Sequence, residues 1–82
     1  MKFTLLTPAQ QVADMEVTYV HVPGDAGDFG VLPGHMPLVS TLRSGGTVEA
    51  TDTTGKTHTY TVSGGFAEVS ASGVNVLAEA IG

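Results

Sequence analysis

Residues 27–38 read Gly-Asp-Phe-Gly-Val-Leu-Pro-Gly-His-Met-Pro-Leu, so that glycines and two prolines enclose a short apolar run. Glycine and proline at this density end strands and build tight turns, which predicts a buried strand at 29–32 between two turns. Two interpretations of the run stay open from its residues alone. It is either a rigid corner in which His35 has only a structural role, or a projecting loop that presents Asp28, Phe29 and His35 to a partner, because loops on a rigid scaffold often carry function.

Short alternating segments rich in β-branched residues continue on both sides of this run. Their spacing of about 8–12 residues, without an amphipathic helix, is typical of an all-β sandwich or barrel. In one segment, simple alternation places Val17, Tyr19 and His21 on one face and Val20 and Val22 on the other. The predicted strands cover residues 2–6, 12–22, 29–32, 47–52, 57–63, 66–71 and 74–78, and residues 37–42 form a further short apolar segment bounded by proline and glycine.

The length and charge of the chain exclude several classes of function. Its 82 residues are enough for one domain, residues 1–82. Eight acidic residues against three Lys and Arg give a net charge of −5, which argues against binding nucleic acid or anionic lipid directly. The chain has no cysteine, which fits a reducing compartment, and its longest uncharged stretch, residues 29–42, is too short and too broken to span a bilayer.

Motifs for catalysis, cofactors and metals are missing from the sequence. The three histidines and the scattered carboxylates show no zinc-ligand spacing, and no EF-hand pattern surrounds Asp25 and Asp28. There is no nucleophile elbow and no phosphate-binding glycine loop that opens a helix. We therefore expect a protein that is not an enzyme by itself and that has no catalytic residue, cofactor or metal.

Three motifs in order resemble the epsilon subunit family of F-type rotary ATP synthases. Residues 22–38 come close to the family signature G-[ED]-x-G-[IV]-x-P-G-H-x-P-L. Residues 63–69, Ser-Gly-Gly-Phe-Ala-Glu-Val, are similar to S-G-G-[FI]-x-E-V, and residues 74–79, Val-Asn-Val-Leu-Ala-Glu, are similar to V-T-V-L-A-[ED]. The resemblance extends over almost the whole chain, from about residue 2 to residue 80.

This resemblance implies a flattened β-sandwich of about ten short strands. It also implies a non-catalytic rotor subunit in the central stalk, which binds the gamma subunit and the c-subunit ring, contacts alpha and beta indirectly, and helps couple proton flow to ATP synthesis. The location implied is peripheral, on the cytoplasmic face of the bacterial inner membrane. The alternative is a free-standing β-sandwich module that binds a peptide or a carbohydrate.

The resemblance also assigns partner-binding residues. Asp28 and Phe29 occupy the turn that meets the c-ring in the family, where the Asp28 carboxylate would pair with a cation on the ring loops. His35, Met36 and Leu38 are expected to bind gamma, because a proline-flanked loop seldom exposes apolar side chains without a partner. The family usually adds two C-terminal helices that inhibit ATP hydrolysis and in some members bind ATP. Residues 1–82 stop short of that region, so we expect neither property from them.

Overall fold

The computed structural model describes all residues from Met1 to Gly82. Its regular structure consists of strands, and it contains no helix that could cross a membrane. The eight strands are β1 Lys2–Leu6, β2 Gln11–Val22, β3 Phe29–Val31, β4 Leu38–Thr41, β5 Gly46–Asp52, β6 Thr57–Val62, β7 Gly65–Ser70 and β8 Gly73–Ala78. They agree closely with the segments predicted from alternation and turn residues.

The strands form a sandwich of two sheets that share β2. The first sheet has the order β4-β7-β8-β1-β2, and the second has the order β3-β2-β5-β6. β1 and β8 are parallel, whereas every other strand pair is antiparallel. Two isolated bridges join Gly24 with Leu42 and Val62, the last residue of β6, with Ile81. The resemblance implied about ten strands, and the structure has eight.

Valine side chains fill most of the space between the sheets. β-branched residues favour the extended backbone and pack densely on a pleated surface, so valine is well suited to a core between two sheets. Phe3 is the only fully buried aromatic residue, and its ring stacks on Tyr60 with 6.2 Å between centroids. The buried core comprises Phe3, Leu5, Ala13, Val17, Val20, Val22, Val31, Leu42, Val48, Ala50, Val62, Ala67, Val69, Val74, Val76 and Ala78.

A bulge in β2 corrects the prediction made for its two faces. The pairing with β5 shifts between Val17 and Tyr19, which leaves Thr18 as one extra residue. The extra residue reverses the alternation, so Val17, Val20 and Val22 all point into the core, while Tyr19 and His21 face outward. Simple alternation was therefore wrong for Val17, because it assumed an unbroken period of two along the strand.

The run 24–43 closes one side of the sandwich, and we call it the β3–β4 edge. It contains β3 and β4, which are the terminal strands of the two sheets, together with their flanking turns. The Asp25 N–H donates to the Thr41 carbonyl at 3.0 Å, and the Arg43 N–H donates to the Pro23 carbonyl at 2.8 Å. These backbone bonds join the two sheets along this side and hold its turns in place.

The β5–β6 hairpin turns around the side chain of Asp52. This carboxylate accepts hydrogen bonds from the backbone N–H groups of Thr54 at 2.8 Å and Lys56 at 3.1 Å, and also from the Thr54 hydroxyl at 2.6 Å. His58 Nε2 lies 2.8 Å from the second carboxylate oxygen. Stabilisation of the charged form, chiefly by Thr54 and then by His58, lowers the pKa of Asp52 well below its usual range.

Candidate functional site

The five residues assigned to partner binding all lie on the β3–β4 edge. Asp28 and Phe29 stand at the beginning of β3, and His35 and Met36 lie in the connection that crosses from one sheet to the other. Leu38 is the first residue of β4. The structure therefore brings the predicted gamma and c-ring residues together on one continuous side of the sandwich.

Exposure separates these apolar side chains into two groups. Met36 is 79% exposed, whereas Phe29 and Leu38 are half-buried and pack against the core. Leu32 and Val39 were not among the predicted partner-binding residues, although they are 62% and 67% exposed. Each is next in sequence to a residue that packs inward, Val31 or Leu38, and no local sequence signal determines which of the two faces outward. The exposed apolar surface of this edge thus consists chiefly of Leu32, Met36 and Val39.

The Asp28 carboxylate is bonded to two side chains of its own chain. Arg43 approaches it end-on, through Nη1 to Oδ1 and through Nη2 to Oδ2 at 3.3 Å. His21 on β2 lies on the other side, with Nε2 3.1 Å from Oδ2. The Arg43 hydrogen bond and then that of His21 lower the pKa of Asp28, although partial desolvation opposes them, so the carboxylate is ionised across the physiological range. The acidic group was predicted from the sequence, whereas its two partners were not.

His35 is turned toward its own loop. Its ring Nδ1 donates a hydrogen bond to the Met36 carbonyl at 2.7 Å, and its backbone N–H donates to the Leu32 carbonyl at 3.2 Å. Because the acceptor at Nδ1 is a carbonyl, the proton of the neutral ring lies on Nδ1, and Nε2 is an acceptor with no partner in the chain. The imidazole therefore braces the loop and also offers one free polar atom at its surface.

A second apolar surface lies on the outer face of the first sheet. Phe66 on β7 is paired with Leu77 on β8, and Leu77 is in turn the neighbour of Leu6 on β1. Together with Pro8 these side chains line an open groove of about 400 Å³. The groove was not predicted from the sequence, since Leu6 was assigned only to a strand and Phe66 and Leu77 only to strands and family motifs.

No group of three or more His, Cys, Asp or Glu side chains comes together as a metal site. The β3–β4 edge offers exposed apolar area, one imidazole acceptor and one carboxylate whose orientation is held by neighbours. The fold and this edge together define a small β-sandwich with an exposed apolar edge that also carries a fixed carboxylate.

The chain belongs to the family described as ATP synthase, Delta/Epsilon chain, beta-sandwich domain, whose model matches residues 1–81. Relatives named ATP synthase epsilon chain share substantial identity with it. That of Fuscovulum blasticum is 46% identical over 79 residues, which cover 96% of this chain and 59% of the relative. That of Nitratidesulfovibrio vulgaris strain DP4 is 49% identical over 75 residues, which cover 92% of this chain and 54% of the relative. The chain thus spans little more than half the length of these relatives.

Solved structures show the same fold. A chain in the cryo-EM structure of the Euglena gracilis mitochondrial ATP synthase, OSCP/F1/c-ring in rotational state 1, superposes with a TM-score of 0.85 at 28% identity, covering 98% of this chain and 51% of that one. A chain in the central stalk/c-ring structure of the Tetrahymena thermophila mitochondrial ATP synthase has a TM-score of 0.79 at 14% identity, covering 100% and 65%. The second likeness concerns the fold alone.

Proposed function

We propose that this chain is a non-catalytic central-stalk subunit of a proton-translocating F-type ATP synthase. In this role it binds the gamma subunit and the c-ring, meets alpha and beta only indirectly, and helps couple proton flow to ATP synthesis. The observation that carries the proposal is the β3–β4 edge, which keeps exposed apolar side chains on a turn structure tied to both sheets. The family membership and the epsilon-chain relatives support the same role.

The gamma contact is proposed to centre on His35 and Met36. Met36 supplies apolar area that is costly to leave in water, and His35 Nε2 supplies an acceptor beside it. Leu38 takes part through the exposed portion of its half-buried side chain. Leu32 and Val39 extend the same apolar area, and an interface of standard size needs about 800 Å² from each partner, more than one side chain provides.

The c-ring contact is proposed to involve Asp28 and Phe29. A loop of the ring that carries Arg or Lys would find an ionised carboxylate at Asp28, and the partly exposed ring of Phe29 lies beside it. Ion pairs of this exposed kind contribute to orientation more than to affinity. The subunit would lie on the cytoplasmic face of the bacterial inner membrane, held there by the complex and without direct contact with lipid.

Affinity purification tests this function. The tagged chain, expressed in its own organism, is expected to recover gamma and c subunits from solubilised membranes. Met36→Asp should reduce that recovery, because it places a charge in the apolar contact, whereas Ala71→Asp in the exposed β7–β8 turn should not. A free-standing module for a peptide or a carbohydrate would recover neither subunit, and that result would overturn the proposal.

A further inference from the structure

Asp28 is the only carboxylate of this chain that bonds to two cationic or imidazole side chains from different parts of the fold. His21 belongs to β2, and Arg43 follows β4, so the three side chains tie the turn before β3 to both sheets. The backbone already holds the base of this turn through the Arg43 N–H and the Asp25 N–H. The side-chain cluster is therefore not needed to form the turn. Its effect falls on the direction and the charge of the Asp28 carboxylate.

The number of acceptor positions on the carboxylate limits how a partner can approach. A carboxylate offers about four lone-pair positions, and the two Arg43 contacts and the His21 contact occupy three of them. Oδ2 receives both His21 and Arg43, so the open position lies on Oδ1. A cation of the partner can thus reach Asp28 only from the Oδ1 side. Without Arg43 the side chain would rotate among several rotamers, and this direction would be lost.

From this geometry we propose that Arg43 and His21 are positioning residues for the Asp28 contact with the c-ring. The inference rests on the proposed function and goes further, because it assigns residues that act through Asp28. Arg43 holds the carboxylate in one orientation. His21 donates to Oδ2 from β2 and closes that oxygen to a partner.

The test uses the chain assembled with the gamma subunit of its own organism and measures the binding of this complex to the purified c-ring. In His21→Gln the amide still donates to Asp28, and the affinity should stay close to that of the wild type. His21→Ala removes the donor on the β2 side and should weaken binding about twofold. His58→Ala removes the other His–Asp pair, in the β5–β6 hairpin, and should bind like the wild type.

The Arg43 arm of the test is a double-mutant cycle with Asp28. Arg43→Gln and Asp28→Asn should each weaken ring binding by about two- to fivefold, and the double variant should be no weaker than either, because the two residues act as one unit. Arg43→Lys should restore part of the affinity. Lys56→Gln makes the same change in net charge far from the edge and should bind like the wild type. Thermal unfolding of each variant checks that the fold is intact.

The other possible results contradict the proposed role of Arg43, of His21 or of Asp28. If Arg43→Gln binds like the wild type while Asp28→Asn is weakened, or if the two effects add, Arg43 is not a positioning residue. If His21→Ala binds like the wild type, His21 is not a positioning residue. If Asp28→Asn binds the ring like the wild type, the Asp28 contact itself fails and takes the inference with it, whereas the proposed role of the subunit is decided separately by recovery of gamma.

Discussion

The ring of Tyr19 lies directly over the backbone of Gly30. A Cβ atom added to Gly30 would stand 2.6 Å from Tyr19 Oη and 2.7 Å from Cε1, both much closer than van der Waals contact. Gly30 on β3 pairs with His21 on β2, and Tyr19 lies two residues along β2 from His21. An aromatic ring that covers a glycine of the neighbouring strand packs a short terminal strand onto its sheet. Position 30, the second glycine of the Gly-Asp-Phe-Gly turn, therefore favours glycine in this chain, because a side chain there would clash with the Tyr19 ring.

Gly30→Ala should destabilise the domain modestly, by about 1 kcal/mol, because the atoms it meets belong to a side chain that is 37% exposed and can swing into solvent. Tyr19→Ala removes the obstacle, so the alanine at position 30 should cost much less in that background. Urea unfolding of the two single variants and the double variant measures this coupling. Strict additivity of the two changes would show that the ring does not enforce the glycine.

Gly65→Ala should be considerably more damaging, by about 3 kcal/mol or more. Its φ is 111°, and an added Cβ would lie 2.0 Å from the Leu77 carbonyl oxygen of the neighbouring strand. Backbone cannot swing away as the Tyr19 ring can, so β7 and β8 would have to separate. The same unfolding measurement checks the result. A loss no larger than that of Gly30→Ala would contradict this distinction.

Met36→Ala and Leu38→Ala should affect different properties. Met36 is almost fully exposed, so its truncation should change the free energy of unfolding by less than about 0.5 kcal/mol but weaken gamma binding about tenfold. Leu38 packs against the core, so its truncation should cost about 2 kcal/mol of stability. Calorimetry and titration with purified gamma separate the two effects. Unchanged gamma affinity in Met36→Ala would remove this residue from the interface.

Acid should weaken the domain through Asp52. Because its pKa is lower in the folded state than in the unfolded chain, its stabilising effect is present above the unfolded value near pH 4 and is lost as the pH falls toward the lowered folded value. The urea midpoint of the wild type should therefore be steady from pH 7 to about pH 5 and then decline. Asp52→Ala should have a lower midpoint at pH 7 and a flatter decline in acid. Asp25→Asn, whose carboxylate accepts no hydrogen bond in the structure, should follow the wild type.

Much of the fold was predictable because the signals are local. Alternation in residues 57–62 and the turn residues around Gly55 determine a hairpin without reference to the rest of the chain. The bulge at Thr18 was not predictable, since no turn residue marks it and its cause is the passage of β2 from one sheet to the other. The number of strands implied by the family differed for a related reason, because residues 24 and 81 form single bridges whose pairing depends on distant partners.

The candidate site was predictable in its location but not in its detail. The glycines and prolines of residues 27–38 mark a rigid turn structure, and the family motif indicates the acidic and histidine positions. The sequence does not indicate that Arg43, 15 positions away, reaches Asp28. Nor does it show that Leu38 turns inward while Val39 turns outward, because that parity is set by the pairing of β4 with β7.

The membership of β2 in both sheets has a mechanical consequence. Its 12 residues pair with β1 at one end and with β3 and β5 at the other, so one unbroken backbone crosses from layer to layer. A force that acts on either layer is transmitted to the other through the covalent backbone of β2, and not only through packing contacts between side chains in the core. A twisting load at the rim of such a sandwich would turn the body as one piece, with no shearing of its two halves.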